Sequence, residues 1–334
     1  MMKNLFDYAT KELSQDAFLR WLFENYDCND NSSLREASQY IINKLCKITG
    51  EKIIEVKTYS QWHKMDIFAI VETNNRKIAL FIEDKVFSTE HNQLENYNKI
   101  IEKSIENKGY ELNQLGISKE NVIKVFYKTL WLSDIEKDAV INAGWEICDI
   151  LDICKMFNGF SNTDCVILKQ YIEHINEIEN LYKNHQMPTS SEKGIDLIKW
   201  KAYFELELLP KLKISLKEYT YSVNVTAYNY TCLCIGKKVK DCENVPYIEL
   251  RSRDITNDGF SVVFLCYGVD YKKSANKIKT VDERIKTAPN RIFIPKNRRG
   301  SEPKQLARTV KANEDIIAFL KKCIQDYDYS MCEW

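Results

Sequence analysis

The spacing of apolar residues changes along the first 130 residues from a helical period to a strand period and back again. Apolar residues three and four positions apart predict amphipathic helices, whereas short apolar runs bounded by polar turns predict strands. The first helix is predicted to begin at Ser14, a residue type that caps helix N-termini. The predicted elements are helices at about 14–26, 34–47 and 89–107 and strands at about 52–59, 64–71, 79–86 and 121–130. The order helix, three strands, helix and strand predicts an α/β unit with a central sheet flanked by helices.

The third predicted strand changes from apolar to charged residues at its carboxyl end, where Glu83, Asp84 and Lys85 follow Leu80-Phe81-Ile82. Alternate side chains of a strand point to opposite faces, so Glu83 and Lys85 share one face and Asp84 lies on the other. Open α/β sheets place their sites at the carboxyl ends of strands. Buried charges are costly unless they are paired or bind a metal. The pattern therefore predicts a functional site at this strand end.

The neighbouring elements add polar residues to the same place. Asp66 lies at the start of the preceding strand, and the polar stretch 72–76 predicts a hairpin that brings Asp66 close to Glu83. Gln93 and Tyr97 are four positions apart on the following helix, hence on one face of it. A simpler interpretation stays open, in which Glu83 and Lys85 form a strand-end ion pair and the other residues lie on the surface.

Asp66, Glu83-x-Lys85 and Gln93-x-x-x-Tyr97 together resemble the core of the PD-(D/E)xK nuclease superfamily, in the version found in its RecB-like exonuclease branch. The resemblance covers roughly residues 1–130, and Met65 stands where the family name has proline. It implies a restriction-endonuclease-like αβββαβ core with a mixed central sheet flanked by helices.

The resemblance also implies a function, the metal-dependent hydrolysis of phosphodiester bonds. DNA is the expected substrate because most of that branch acts on DNA, and bacterial defence or DNA processing is an analogy only. Mg²⁺ or Mn²⁺ prefers hard oxygen ligands, and the implied ligands are Asp66, Glu83 and the backbone carbonyl of Asp84. Glu36 on the second helix is the best-placed candidate for a further ligand, with Glu12 next; each is equally well explained as a solvated acid at a helix start.

The implied catalytic roles fall to the remaining residues of the motif. Lys85 would orient or help to deprotonate the attacking water and would stabilise the developing charge on the phosphate. Gln93 and Tyr97 would hold the lysine or the scissile phosphate. The alternative function is a catalytically inactive member of the same fold that binds nucleic acid or protein.

A domain boundary is predicted near the polar stretch 184–192, giving a nuclease-like domain at 1–186 and an accessory α+β domain at 187–334. The formal net charge is zero over 334 residues, but residues 187–334 carry 26 lysines and arginines against 19 acids, a surplus of seven. Within that half, 272–311 is strongly basic, and Arg291, Lys296, Arg298 and Arg299 are the candidate nucleic-acid contacts. A solvated basic surface explains these four residues equally well.

The secondary structure of this second half is predicted from its breakers and apolar runs. A helix over 194–209 is expected to end at Pro210, and a final helix is expected over 313–327. Strands are expected over 222–235, 247–252 and 260–267.

The cysteines and the absence of long apolar runs bear on cellular context. Eleven cysteines are scattered, and the spacing of Cys232 and Cys234 is explained by alternation along a strand rather than by a metal site. Free thiols favour a cytoplasmic protein, and no run approaches the about 20 apolar residues of a membrane span. Nucleic acid is the expected partner, without a membrane, and a homodimer stays open.

Overall fold

The computed structural model describes most of the chain. The chain divides into two compact units, Met1–Lys183 and Asn184–Trp334. No side chain is described for residues 7, 12, 13, 135, 195, 196 and 271–274. The described residues are 4–7, 12–86, 93–108, 110–188, 195–215, 217–226, 230–239, 245–256, 258–266, 271–295, 305–309 and 314–332.

The first unit is built on a mixed five-stranded sheet. The strands lie in the order β1-β2-β3-β4-β5; the first three are antiparallel, and β3, β4 and β5 are parallel. Apolar residues dominate the central strands because both faces of the sheet are covered, and eight of the nine residues of β3 are buried. The strands are β1 (Ile53–Trp62), β2 (Met65–Thr73), β3 (Lys77–Lys85), β4 (Val122–Lys128) and β5 (Glu146–Cys148).

Seven α-helices accompany this sheet in the described part of the first unit. Helix α1 packs against β1, β2 and β3, and α2 packs against α1 and α6. The helices are α1 (Glu12–Glu24), α2 (Ser32–Leu45), α3 (Gln93–Glu106), α4 (Glu111–Gln114), α5 (Asp134–Asn142), α6 (Ile150–Phe157) and α7 (Val166–Lys183). Ser14 lies inside α1 rather than at its N-cap, so that prediction was wrong. Asn31 caps α2 instead, accepting a hydrogen bond from the backbone N–H of Leu34 at 2.7 Å.

The hairpin predicted between the second and third strands is confirmed. Strands β2 and β3 pair with Glu72 opposite Lys77 and with Ile67 opposite Ile82, across a short polar turn. The side chain of Thr73 stabilises the turn by accepting hydrogen bonds from the backbone N–H groups of Asn75 and Arg76. This register places Asp66 beside Glu83, at the carboxyl end of β3.

The second unit is an antiparallel six-stranded sheet with helices, in the order β10-β11-β9-β8-β7-β6. Its core includes Phe264, Tyr327 and Phe204, each almost fully buried. The strands are β6 (Tyr219–Val225), β7 (Thr231–Lys237), β8 (Tyr247–Thr256), β9 (Gly259–Leu265), β10 (Phe293–Pro295) and β11 (Gln305–Thr309). The α-helices are α8 (Ile195–Ala202), α9 (Leu209–Leu212), α10 (Tyr271–Thr287) and α11 (Ile316–Ser330).

Two predictions for this unit were wrong. The stretch predicted as one strand over 222–235 forms two antiparallel strands, β6 and β7, in which Ser222 lies opposite Cys234. Pro210 does not end the helix at 209, because a π-helical segment, Tyr203–Leu208, leads into α9 with the proline in its first turn. A proline in the first turn needs no backbone N–H, so the helical path continues to Leu212.

The broad prediction of a mixed α/β unit followed by an α+β unit is confirmed. The described helices include none that is both long enough and apolar enough to cross a bilayer.

Candidate active site at the carboxyl end of β3

Lys85 brings two carboxylates together at the end of β3. Its Nζ lies 2.6 Å from Oε1 of Glu83 and 3.8 Å from Oδ2 of Asp66. All three side chains are largely withdrawn from water, with Glu83 only 2% exposed. The simpler expectation of a strand-end ion pair describes the contact between Glu83 and Lys85, but it does not explain why a second carboxylate shares the same ammonium.

The backbone on either side fixes the position of Asp66. A two-residue turn joins Trp62 to Met65, which pair across β1 and β2. Both turn residues, His63 and Lys64, have positive φ angles of 50° and 73°, a conformation that non-glycine side chains rarely adopt. Asp66 is the second residue after this turn, and its carboxylate accepts a hydrogen bond from the backbone N–H of Asp84 at 2.9 Å. The carboxylate is thereby held across the β2–β3 hairpin.

The electrostatics of this group favour a further positive charge. Burial and, to a smaller extent, the charge of Asp66 raise the pKa of Glu83 to about 8, because Lys85 only partly opposes both effects. Among the described residues, Oε2 of Glu83 is buried and makes no hydrogen bond. Two adjacent carboxylates with one ammonium between them form a site where a divalent cation would be stabilised.

Tyr97 of α3 lies at the same site, as its helical position predicts. Its side chain is buried, and its hydroxyl donates a hydrogen bond to the backbone carbonyl of Lys64 at 3.0 Å. Burial raises the pKa of Tyr97 to about 12, with smaller contributions from the charges of Glu83 and Asp66. Gln93 begins α3 one turn earlier, and its side chain is exposed. The structure therefore brings Tyr97 to the carboxylates and leaves Gln93 at the solvent-facing start of the helix.

The opposite face of β3 holds Asp84 through a residue that the sequence analysis missed. Gln15 of α1 donates a hydrogen bond from Nε2 to Oδ1 of Asp84 at 2.8 Å and accepts one from the hydroxyl of Thr129 at 3.1 Å. Asp84 is fully buried and bound by Gln15, and the family resemblance implies its backbone carbonyl, not its side chain, as the metal ligand. The sequence signal for this contact was the polar pair Gln15 and Asp16 beside the apolar stripe of α1. Both residues are buried in the structure.

Of the two glutamates suggested as further ligands, Glu36 is not brought into this group. Glu36 lies on the exposed face of α2, and no described contact joins it to Asp66 or Glu83. Glu12 begins α1, but its side chain lies outside the described set. Helix α1 rather than α2 approaches β3, because α2 packs on α1 and α6.

A second buried lysine lies on the neighbouring strand. Lys128 ends β4 in register with Lys85, and its Nζ lies 2.5 Å from Oε1 of Glu136 on α5. Both side chains of this pair are at most 6% exposed. The signal in the sequence was a charged residue directly after the apolar run Val125-Phe126-Tyr127, the same transition that marks the end of β3.

The candidate nucleic-acid contacts of the second unit are only partly described. Arg291 is exposed, between α10 and β10. Lys296, Arg298 and Arg299 lie outside the described residues. Arg308, another cation of the basic segment, forms an ion pair with Asp254 at 3.2 Å.

Comparison with known proteins places few constraints on this site. No protein-family model matches the chain, and no curated protein matches it. One solved structure, an MspJI restriction endonuclease in complex with a 27-mer oligonucleotide, shows a likeness with a TM-score of 0.26 and 11% sequence identity. The likeness covers 49% of this chain and 36% of the MspJI chain.

Proposed function

We propose that the first unit is a metal-dependent nuclease of the PD-(D/E)xK type, with a restriction-endonuclease-like core, that hydrolyses phosphodiester bonds in DNA. The observation that supports it is the convergence of Asp66, Glu83 and Lys85 at the carboxyl end of β3. These are the residue types, on the strands, that the motif requires. Tyr97 adds the hydroxyl of the Gln-x-x-x-Tyr pattern to the same group.

The residues present fit a hard divalent cation. Asp66 and Glu83 supply carboxylate oxygens, and a buried oxygen of Glu83 makes no hydrogen bond with the described residues. Burial first, and then the charge of Asp66, raise the pKa of Glu83, and Lys85 only partly offsets them, so a bound cation would favour the ionised carboxylate. Carboxylate ligands suit Mg²⁺ and Mn²⁺ rather than thiophilic ions. When bound, such an ion supplies Lewis-acid chemistry, lowering the pKa of water and neutralising phosphate charge.

The remaining residues of the site have roles that follow from their positions. Lys85 can donate a hydrogen bond to a phosphate oxygen or to the attacking water from a position already fixed by Glu83. Tyr97 stays protonated near neutral pH, so its hydroxyl would act through hydrogen bonds and not as a base. Gln93 is exposed at the start of α3, which favours contact with the scissile phosphate over contact with the carboxylates.

Nucleic acid is the proposed partner of the second unit as well. The net positive charge of residues 187–334 would offset the repulsion between an acidic nuclease unit and phosphates. Arg291 is the described member of the proposed contact set, which also contains Lys296, Arg298 and Arg299.

The proposal is tested by cleavage of circular and linear DNA, and of RNA, with Mg²⁺ or Mn²⁺. Asp66→Asn and Lys85→Arg are the informative variants, since the second keeps the positive charge beside Glu83 while changing the donor geometry. Both are expected to lose cleavage that chelation of the metal also abolishes. Comparing the circular and linear substrates separates endonuclease from exonuclease action.

The same strand pair offers matched controls. Lys77 of β3 forms an ion pair with Glu72 of β2 at 3.1 Å, at the opposite end of the hairpin. Lys77→Arg and Glu72→Gln are expected to cleave like the wild type, because this exposed pair contributes at most about 1 kcal/mol. If the wild type cuts none of the substrates with either metal, the nuclease proposal fails and the alternative, a catalytically inactive binding module, takes its place.

A further inference from the structure

Three potential metal ligands meet on the sheet of the second unit. Cys232 and Cys234 of β7 project to one face, whereas Leu233 and Ile235 of the same strand belong to the hydrophobic core. Glu249 of β8 lies directly opposite Cys234 in the antiparallel register. The alternation inferred from the sequence is thus present, and the pairing of β8 adds a third donor that the sequence spacing could not show. These three residues could hold a metal ion.

The distances between the donors match those around a tetrahedral ion. The two sulfur atoms lie 3.9 Å apart, and Sγ of Cys234 lies 3.8 Å from Oε2 of Glu249. Zinc–sulfur bonds of about 2.3 Å and zinc–oxygen bonds of about 2.0–2.2 Å, spread at a tetrahedral angle, separate the ligand atoms by about 3.5–3.8 Å. All three donor atoms lie within 4.8 Å of one another. Closing this arrangement around an ion would require shifts of only a few tenths of an ångström.

The surroundings orient one donor and balance the charge. Arg251, two residues after Glu249 on β8, forms an ion pair with Oε1 of that carboxylate. This contact leaves Oε2 facing Cys234. Two thiolates and one carboxylate would carry three negative charges, which a divalent ion together with Arg251 would neutralise. A hydrogen-bonded partner behind a ligand carboxylate is a common feature of protein metal sites.

The site has an open side. Cys232 is buried, whereas Cys234 is half-buried and lines a cavity of about 620 Å³. Ser222, Asn224 and Tyr247 also line this cavity. Three protein ligands with a fourth position open to solvent or to a small ligand is the arrangement of catalytic zinc sites, in contrast to closed structural sites with four protein ligands.

We propose that Cys232, Cys234 and Glu249 bind a thiophilic divalent cation of the zinc class, with its open coordination position facing the cavity of the second unit. Mixed sulfur and oxygen donors select Zn²⁺ over Mg²⁺ and Mn²⁺. This site is therefore chemically separate from the oxygen site proposed at Asp66 and Glu83.

The test is a titration of the full-length, chemically reduced protein with Co²⁺, which substitutes for Zn²⁺ and reports thiolate ligation through a sulfur-to-metal charge-transfer absorption. The wild type is expected to show this absorption at one equivalent of Co²⁺ and to lose it when Zn²⁺ is added. Cys232→Ser and Cys234→Ser are each expected to weaken the absorption, and the double variant to abolish it. Glu249→Gln is expected to keep thiolate absorption but to bind at least about tenfold more weakly, as lost metal-site interactions do.

Two controls make the test decisive. Cys165→Ser replaces a half-buried cysteine of the first unit and should leave the absorption unchanged. Asp66→Asn should also leave it unchanged, so failure of the nuclease proposal would not affect this result. Absence of thiolate absorption in the reduced wild type would overturn the proposal, and so would its persistence in the double serine variant.

Discussion

The two units each contain a buried glutamate followed two residues later by a cation on the same strand face, yet the two sites favour different chemistry. Glu83 contacts Lys85 on β3, and Glu249 contacts Arg251 on β8. Beside Glu83 the adjacent strand supplies Asp66, whereas beside Glu249 it supplies Cys234. In both units the pattern Glu-x-cation forms an ion pair, and the donor on the neighbouring strand is the difference from which we propose a hard metal for one site and a thiophilic metal for the other.

The largest expected difference between the two glutamates is in cleavage of DNA. Glu83→Gln should lower the rate on the order of 10²–10³-fold, the loss typical when one charged group of a preorganised site is removed. Glu249→Gln should leave the cleavage rate unchanged. Initial rates with Mn²⁺ measure both. Equal loss in the two variants would show that the sites are not functionally distinct.

The second prediction concerns how the stability of the metal-free protein depends on pH. The folded-state pKa of Glu83 is raised to about 8 from its ordinary value of 4.5, so between these pH values the folded protein holds a proton that the unfolded chain releases. This stabilisation is complete below about pH 4.5 and is lost as the pH rises toward 8. The melting temperature of chelator-treated wild type should therefore fall across this range. Glu83→Gln should melt higher than wild type at pH 8.

Glu72→Gln is the control for that pH experiment, since it removes a half-exposed carboxylate from the same hairpin. It should keep the pH dependence of the wild type. A Glu83→Gln variant whose melting temperature falls with pH as steeply as the wild type would contradict the account of the carboxylate pair.

The next prediction concerns the contact between α1 and the end of β3, where Gln15 binds Asp84. Gln15→Leu removes a donor to the buried carboxylate of Asp84 and should cost about 1.5–3 kcal/mol, because hydrogen bonds to charged groups are the stronger ones. The melting temperature and the cleavage rate should both fall. Gln39→Leu is the matched control, since Gln39 donates at 2.7 Å to the neutral carbonyl of Tyr26. If Gln15→Leu lowers the melting temperature and the cleavage rate no more than Gln39→Leu does, the hydrogen bond from Gln15 to Asp84 does not stabilise the site.

The smallest expected effect is that of the tyrosine hydroxyl. Tyr97→Phe keeps the buried ring and should lower the cleavage rate by about tenfold at most, equivalent to about 1.4 kcal/mol. Tyr26→Phe is the control. It removes a hydroxyl that donates to the backbone carbonyl of Ile54 at 3.0 Å, outside the candidate site, and it should leave the cleavage rate unchanged. Identical rates for wild type and Tyr97→Phe would assign Tyr97 to packing alone.

The sequence predicted the centre of the first unit because the residues that determine the β2–β3 hairpin are close together in the chain. The apolar run of β3, its charged end and the polar turn at 72–76 lie within a few residues of one another, so the hairpin register and the meeting of Asp66 with Glu83 followed from alternation. Helix α6 was missed because only one residue, Asp149, separates it from β5, with no glycine or proline between them; Asp149 caps the helix. The break between β6 and β7 was missed because the residues joining them contain no strong turn signal.

The contacts that could not be predicted are those between distant segments. Gln15 and Asp84 are 69 positions apart, and their contact depends on how α1 packs across the sheet. Glu249 meets Cys234 only because β7 and β8 pair in one particular register. A shift of one residue would have placed Leu250 there instead.

The most direct test of the central claim is whether the carboxylates at the end of β3 hold a hard divalent ion. Titration of the protein with Mn²⁺, followed by the electron paramagnetic resonance signal of the free ion, measures this without any need for cleavage. We expect one Mn²⁺ to bind the wild type, Glu72→Gln and Cys232→Ser, and binding to be lost in the Asp66→Asn, Glu83→Gln double variant. Binding of Mn²⁺ to that double variant as tightly as to the wild type would contradict the account.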